Sequence, residues 1–112
     1  MTDCLFCKMV NGDIQPNVVY ETDDVLAFRD ISPQAPSHIL IIPKRHVPTL
    51  DDLTDPNLAG KLLMAAKSIA VQEGLAEQGY RTVINCRDNG GQAVYHLHLH
   101  LLGGRRLSWP PG

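Results

Sequence analysis

Residues 96–100 read His-Leu-His-Leu-His, and this strict two-residue alternation restricts the possible folds more than any other stretch of the chain. Side chains along a strand point to opposite faces in turn. An extended segment here therefore sets His96, His98 and His100 on one side and Leu97, Leu99 and Leu101 on the other. The leucine face requires a packed core behind it. The imidazole face requires a chemical reason, because a lone strand histidine is usually structural but three on one face are not. Metal binding is one such reason. Same-face neighbours lie about 6.6 Å apart, so the outer pair is separated by about 13 Å, whereas each zinc–nitrogen bond is only about 2 Å. At most two adjacent histidines could share one ion. The other reason is nucleophilic and acid-base chemistry, for which a neutral imidazole with a reference pKa near 6.5 is well suited. Just upstream, Gly90-Gly91-Gln92 lets backbone N–H groups approach an anion closely, a property of phosphate cradles that a plain hairpin turn shares.

The chain is 112 residues long, enough for one compact domain spanning 1–112, with a tail at 103–112. A 44% apolar and 20% charged composition predicts a packed core, and a formal charge of -2 excludes the basic footprint of a duplex-binding protein. No stretch is long and apolar enough for a membrane span and the amino end lacks a signal-peptide pattern, so the expected location is the cytosol. Cys4, Cys7 and Cys86 are an odd set, better read as thiols or metal ligands than as a disulfide framework.

The pattern predicts a short helix over 5–11 stopped at Gly12, strands over 18–21 and 25–29, and a β-branched strand over 38–42 ended by Pro43. A main helix begins with Thr54 as N-cap, places Leu58, Leu62, Ala65 and Ile69 on one face, and ends between Gly74 and Gly79. Strands over 81–86 and 94–102 follow, joined by a loop containing residues 88–91. One main helix among such strands predicts an α+β fold with an antiparallel sheet. The ending Trp109-Pro110-Pro111-Gly112 predicts an extended tail lying on a surface.

The run from Gly91 to His100 resembles the signature of the histidine-triad superfamily, in its nucleotide-binding Hint branch. Residues 26–36, 38–44, 79–81 and 102–105 together with Trp109-Pro110-Pro111-Gly112 also resemble Hint segments, in the same order, so the resemblance covers nearly the whole chain from Cys4. It implies a five-stranded antiparallel sheet with one main helix and a short N-terminal helix, paired as a homodimer. It also implies hydrolysis of purine nucleoside 5′-phosphoramidates to AMP or GMP, with no cofactor needed for catalysis. Carried over by position, His98 is the nucleophile, His100 donates to the phosphate, His96 holds His98, and His38 relays a proton. Asn85 and the backbone at Gly91, Gln92, Ala93 and Val94 contact phosphate. Asp30 accepts from the ribose, Phe6, Met9, Phe28 and Ile31 line the base pocket, and Trp109 reaches a partner's site.

Ala93 is a departure, since many Hint relatives carry a serine there. The Cys4-x-x-Cys7 pair is a familiar half of a zinc site, and the resemblance completes it with His46 and His96 as a structural centre, against the alternative of free thiols. Two rival functions stand beside the phosphoramidase reading. One is a dinucleoside polyphosphate hydrolase of the Fhit type; the other is a nucleotide-binding interaction protein with incidental hydrolysis.

Overall fold

The computed structural model describes residues 3–112. Five strands form one antiparallel sheet: β1 (Val18–Glu21), β2 (Val25–Arg29), β3 (Ser37–Pro43), β4 (Tyr80–Ile84) and β5 (Leu99–Gly103), in the order β1-β2-β3-β5-β4. With β3 in the middle and β2 beside it, these two strands are covered on both faces, which is why they read as unbroken apolar runs rather than alternating ones. Along them the residues divide by parity. Val25, Ala27, Ile39 and Ile41 join Leu97, Leu99 and Leu101 under the main helix, α2 (Pro56–Gln72), which contributes Leu58, Leu62, Ala65, Ala66, Ile69 and Ala70. Leu26, Phe28, Leu40 and Ile42 face the other way, against Phe6 of α1 (Leu5–Val10). Each fully buried isoleucine or leucine contributes about 1.5–3 kcal/mol, so this two-sided burial holds β3 and β5 firmly.

The element boundaries depart from the sequence reading most in four places, beside shifts of one or two residues elsewhere, β4 for instance running Tyr80–Ile84 rather than over 81–86. The N-cap of α2 is Asp55, not Thr54: its carboxylate accepts from the Asn57 N–H at 2.9 Å, and Pro56 fills the first helical position, where an N–H is not needed. The helix ends at Gln72, before the expected stop, because Gly74 (φ +74°) turns the chain; Gly74 N–H bonds Val71 O, and Leu75 N–H bonds Ala70 O at 2.8 Å. Residues 87–90 form a one-turn helix, α3 (Arg87–Gly90), instead of an open loop, with Gly91 left-handed behind it.

The fourth departure matters most. β5 begins at Leu99, so residues 94–98 lie outside the ladder that was expected to include them. Pairing with β3 stops at Ile41↔Leu99. Further along β3, Pro43 offers no N–H, and its carbonyl is taken by the His96 ring. The Leu97 N–H turns instead to Val47 O at 2.7 Å. Among the described residues, no helix is long and apolar enough to cross a membrane.

Candidate active site

Residues 96–100 still put the leucines on the α2 side and the imidazoles on the other, although only Leu99 and His100 are in the sheet. The hydrogen bonds then assign each ring a tautomer. His98 is buried with Nδ1 2.7 Å from the His96 carbonyl oxygen. A carbonyl can only accept, so Nδ1 carries the hydrogen and Nε2 keeps its lone pair. Phe6 packs edge-on against the His98 ring, with centroids 5.3 Å apart and planes at 87°.

His100 and His38 form a directed pair. The Gln34 backbone N–H donates to His38 Nδ1 at 3.0 Å, which places the His38 hydrogen on Nε2. That Nε2 lies 2.9 Å from His100 Nδ1, so His38 donates and His100 accepts. The His100 hydrogen is therefore on Nε2, a buried atom with no partner among the described residues. Burial, together with the charges His98 and His38 would carry, pushes the His100 pKa down to about 4. Burial lowers that of His38 too, opposed by Asp30. With the rings neutral, the site presents one bare imidazole nitrogen, His98 Nε2, beside one unspent donor, His100 Nε2–H. The two rings are 5.1 Å apart, centroid to centroid.

Asp30 closes this side. One carboxylate oxygen accepts the Ser32 N–H at 2.8 Å, and the other lies 3.5 Å from His38 Nε2. Asp30, His38 and His100 could by proximity hold a metal. The tautomers oppose this. An ion on His38 Nε2 would move the ring hydrogen to Nδ1, where it would face the Gln34 N–H, donor against donor.

A second cluster has the opposite logic. The donor atoms of Cys4, Cys7, His46 and His96 all lie within 4.8 Å of one another. Cys4 Sγ is 3.3 Å from His96 Nδ1, and Cys7 Sγ is 3.3 Å from His46 Nδ1 and 3.6 Å from His96 Nδ1. Sulfur and nitrogen ligands of a tetrahedral zinc sit roughly 3.5 Å apart, given Zn–S near 2.3 Å and Zn–N near 2.0 Å. His96 donates from Nε2 to Pro43 O at 2.8 Å, leaving Nδ1 free to bind, the outer support that metal-ligating histidines ordinarily have. Burial pushes the Cys7 thiol up to about 11, with Cys4 adding to the shift. A bound dication would reverse that by favouring the thiolate. The four residues fit a structural zinc.

The remaining expected positions divide. Phe6 and Phe28 are buried and in edge contact at 5.4 Å, with Met9 packed on them. Ile31 is 98% exposed, and Trp109 is 80% exposed with the Arg81 guanidinium 5.9 Å over its ring. Asn85 follows the end of β4, and Ala93 is exposed. Gln92 is buried and its side chain is bonded to backbone on three counts. A cavity of about 470 Å³ lined by Gly74, Gly79, Gly104 and Arg105 touches none of the histidines, so the site is found by its chemistry rather than by concavity. Sequence reasoning missed Gln34 and Pro43, which act through a backbone N–H and a carbonyl and leave no side-chain signature.

Residues 11–107 match the family model described as HIT domain. A purine nucleoside phosphoramidase from Escherichia coli K12 is 50% identical over 107 residues, covering 94% of this chain and 90% of that protein. A 14 kDa zinc-binding protein from Zea mays is 53% identical over 116 residues, covering 96% and 87%. The crystal structure of a HIT family hydrolase from Legionella pneumophila superposes with a TM-score of 0.96 at 55% identity, covering 98% of this chain and all of that one. The chain belongs to the HIT domain family.

Proposed function

We propose that this chain is a nucleotide hydrolase that cleaves the P–N bond of purine nucleoside 5′-phosphoramidates through a nucleotidyl-histidine on His98. The observation that carries the reading is the tautomer pair: a bare Nε2 on His98 next to an unpaired Nε2–H on His100. His98 Nε2 attacks the α-phosphorus, a P–N bond to His98 forms, and the bond to the amine breaks. The amine leaves after taking a proton from water at the open face. The hydroxide left by that water attacks the same phosphorus, the bond to His98 breaks with its electron pair returning to Nε2, and the nucleoside monophosphate is released. Two moderate steps replace one difficult one. His100 donates to a phosphate oxygen as its charge grows, and His38 holds His100 in the donating tautomer and stands within relay distance of it. Asp30 has a carboxylate oxygen suited to a ribose hydroxyl, and Phe6, Phe28, Met9 and Ile31 offer apolar surface to a base. The E. coli relative supports the substrate class by its name.

Zinc on Cys4, Cys7, His46 and His96 would cross-link α1 to the segment carrying His98, a structural contribution that agrees with the name of the maize relative. We further propose one domain over 1–112 and pairing of two copies, as the family resemblance implies.

The test is release of AMP from adenosine 5′-phosphoramidate and from a fluorogenic amine-linked AMP, with His98→Ala as control. Wild-type turnover that falls by at least about a thousandfold in the variant is expected. Equal release by both proteins would sink the nucleophile assignment.

A further inference from the structure

Gln92 is 8% exposed, and its amide spans three segments. Its Oε1 accepts the Arg87 N–H at 2.9 Å, while Nε2 donates to Pro48 O at 2.8 Å and to Val94 O at 3.1 Å. Its own N–H bonds Arg87 O at 3.1 Å, so Arg87 is gripped on both its backbone groups by one residue. Arg87 is the one non-glycine residue with positive φ among those described, at +59°, a conformation that survives only where the surroundings impose it. The Pro48 end of the grip is equally well placed. Val47 O takes the Leu97 N–H, and His46 belongs to the Cys/His cluster. One short strap, residues 46–48, thus touches the cluster, the histidine run and, through Gln92, the glycine loop.

We propose that Gln92 is a positioning residue: by clamping Arg87 in its left-handed turn and tying the loop to Pro48, it shapes residues 87–93 for a phosphate before any ligand arrives. This rests on the phosphoramidase reading for the identity of the ligand. The side chain itself has no donor left for substrate. Its contribution is to avoid ordering the loop at the moment of binding, which would otherwise weaken affinity. The Arg87 end of the clamp matters because Arg87 resists its own conformation; a glycine there would adopt positive φ freely.

The test uses Gln92→Met, which keeps length and bulk but makes none of the side-chain bonds, alone and with Arg87→Gly. Amide exchange at Arg87, the affinity of AMP and the affinity of adenosine are measured, with metal content as a check on the rest of the fold. Gln92→Met is expected to speed exchange at Arg87 and weaken AMP by about tenfold, the size of one buried hydrogen-bond loss, with adenosine unchanged. Adding Arg87→Gly recovers most of the AMP affinity. If Gln92→Met does not fold, Gln92→Glu serves: it keeps the Arg87 acceptor and sets a carboxylate oxygen against the Pro48 and Val94 carbonyls, so AMP weakens while Arg87 exchange stays slow. Unchanged exchange in Gln92→Met, equal losses for AMP and adenosine, or no recovery with Arg87→Gly would each overturn the proposal. Wild-type protein that binds AMP but turns over no phosphoramidate would refute the reaction and leave the clamp standing. Wild-type protein that binds no AMP would refute the phosphate assignment.

Discussion

His100 gives the sharpest quantitative prediction, because its environment penalises the charged ring. The unfolded chain protonates a histidine near pH 6.5, whereas folded His100 does so only near pH 4. Between those values the unfolded state binds the extra proton, so folding stability falls as pH falls from 6.5 to 4 and is unaffected above that window. Linkage puts the full loss at pH 5 at about 2 kcal/mol, and partial solvent access to the ring reduces it to about 1 kcal/mol. His100→Gln removes the titrating group and retains an acceptor for His38 Nε2–H. Urea unfolding of both proteins at pH 7.5 and pH 5 gives a difference of differences in which the pH dependence of the Cys/His cluster cancels. Wild type should lose about 1 kcal/mol relative to the variant on going to pH 5, roughly 1 M of urea midpoint at an m-value near 1 kcal/mol/M. A gap that is the same at both pH values, or that widens in favour of wild type under acid, would refute the assignment of a neutral, proton-refusing His100.

Three further outcomes are expected. Ala93→Ser should raise kcat/KM for amine leaving groups by an amount equivalent to about 1–3 kcal/mol, because a hydroxyl at this exposed position adds a donor where charge develops; identical values for several leaving groups would refute this. Protein purified without chelator should contain zinc, and Cys7→Ser should lose both the metal and several kcal/mol of stability; metal-free protein with a Tm indifferent to EDTA would leave the four residues as thiols and imidazoles. Asp55→Ala should cost about 0.5–2 kcal/mol in denaturant unfolding and Thr54→Ala almost nothing, the reverse of the sequence expectation.

The alternation at 96–101 was legible in full as a division of faces, since periodicity reports direction regardless of the hydrogen bonds beneath it. Where the ladder stops was not legible. That depends on the Pro43 carbonyl being claimed by a ring 53 residues away. The main helix showed its buried face through Leu58, Leu62, Ala65 and Ile69, but Thr54 and Asp55 are both good caps, and only the position of Pro56 decides between them. The candidate catalytic histidines were named by resemblance and by pattern. Their protonation states were not, because these rest on the Gln34 N–H and the His96 carbonyl, groups that every residue possesses. The Cys4-x-x-Cys7 pair announced half of a metal site; its closing half needed the chain to bring His46 and His96 alongside.

The bonds from Gln34 through His38 to His100 all point one way. Each polarises the next, so the outermost N–H is more positive than that of an isolated imidazole, although no ring bears a formal charge. An anion at that N–H would therefore be held by aligned dipoles, whose pull fades within a few ångströms, and the net charge of -2 supplies no long-range attraction. Capture of a nucleotide should consequently proceed at an ordinary, unsteered rate and be nearly indifferent to ionic strength, with selectivity exercised only after contact.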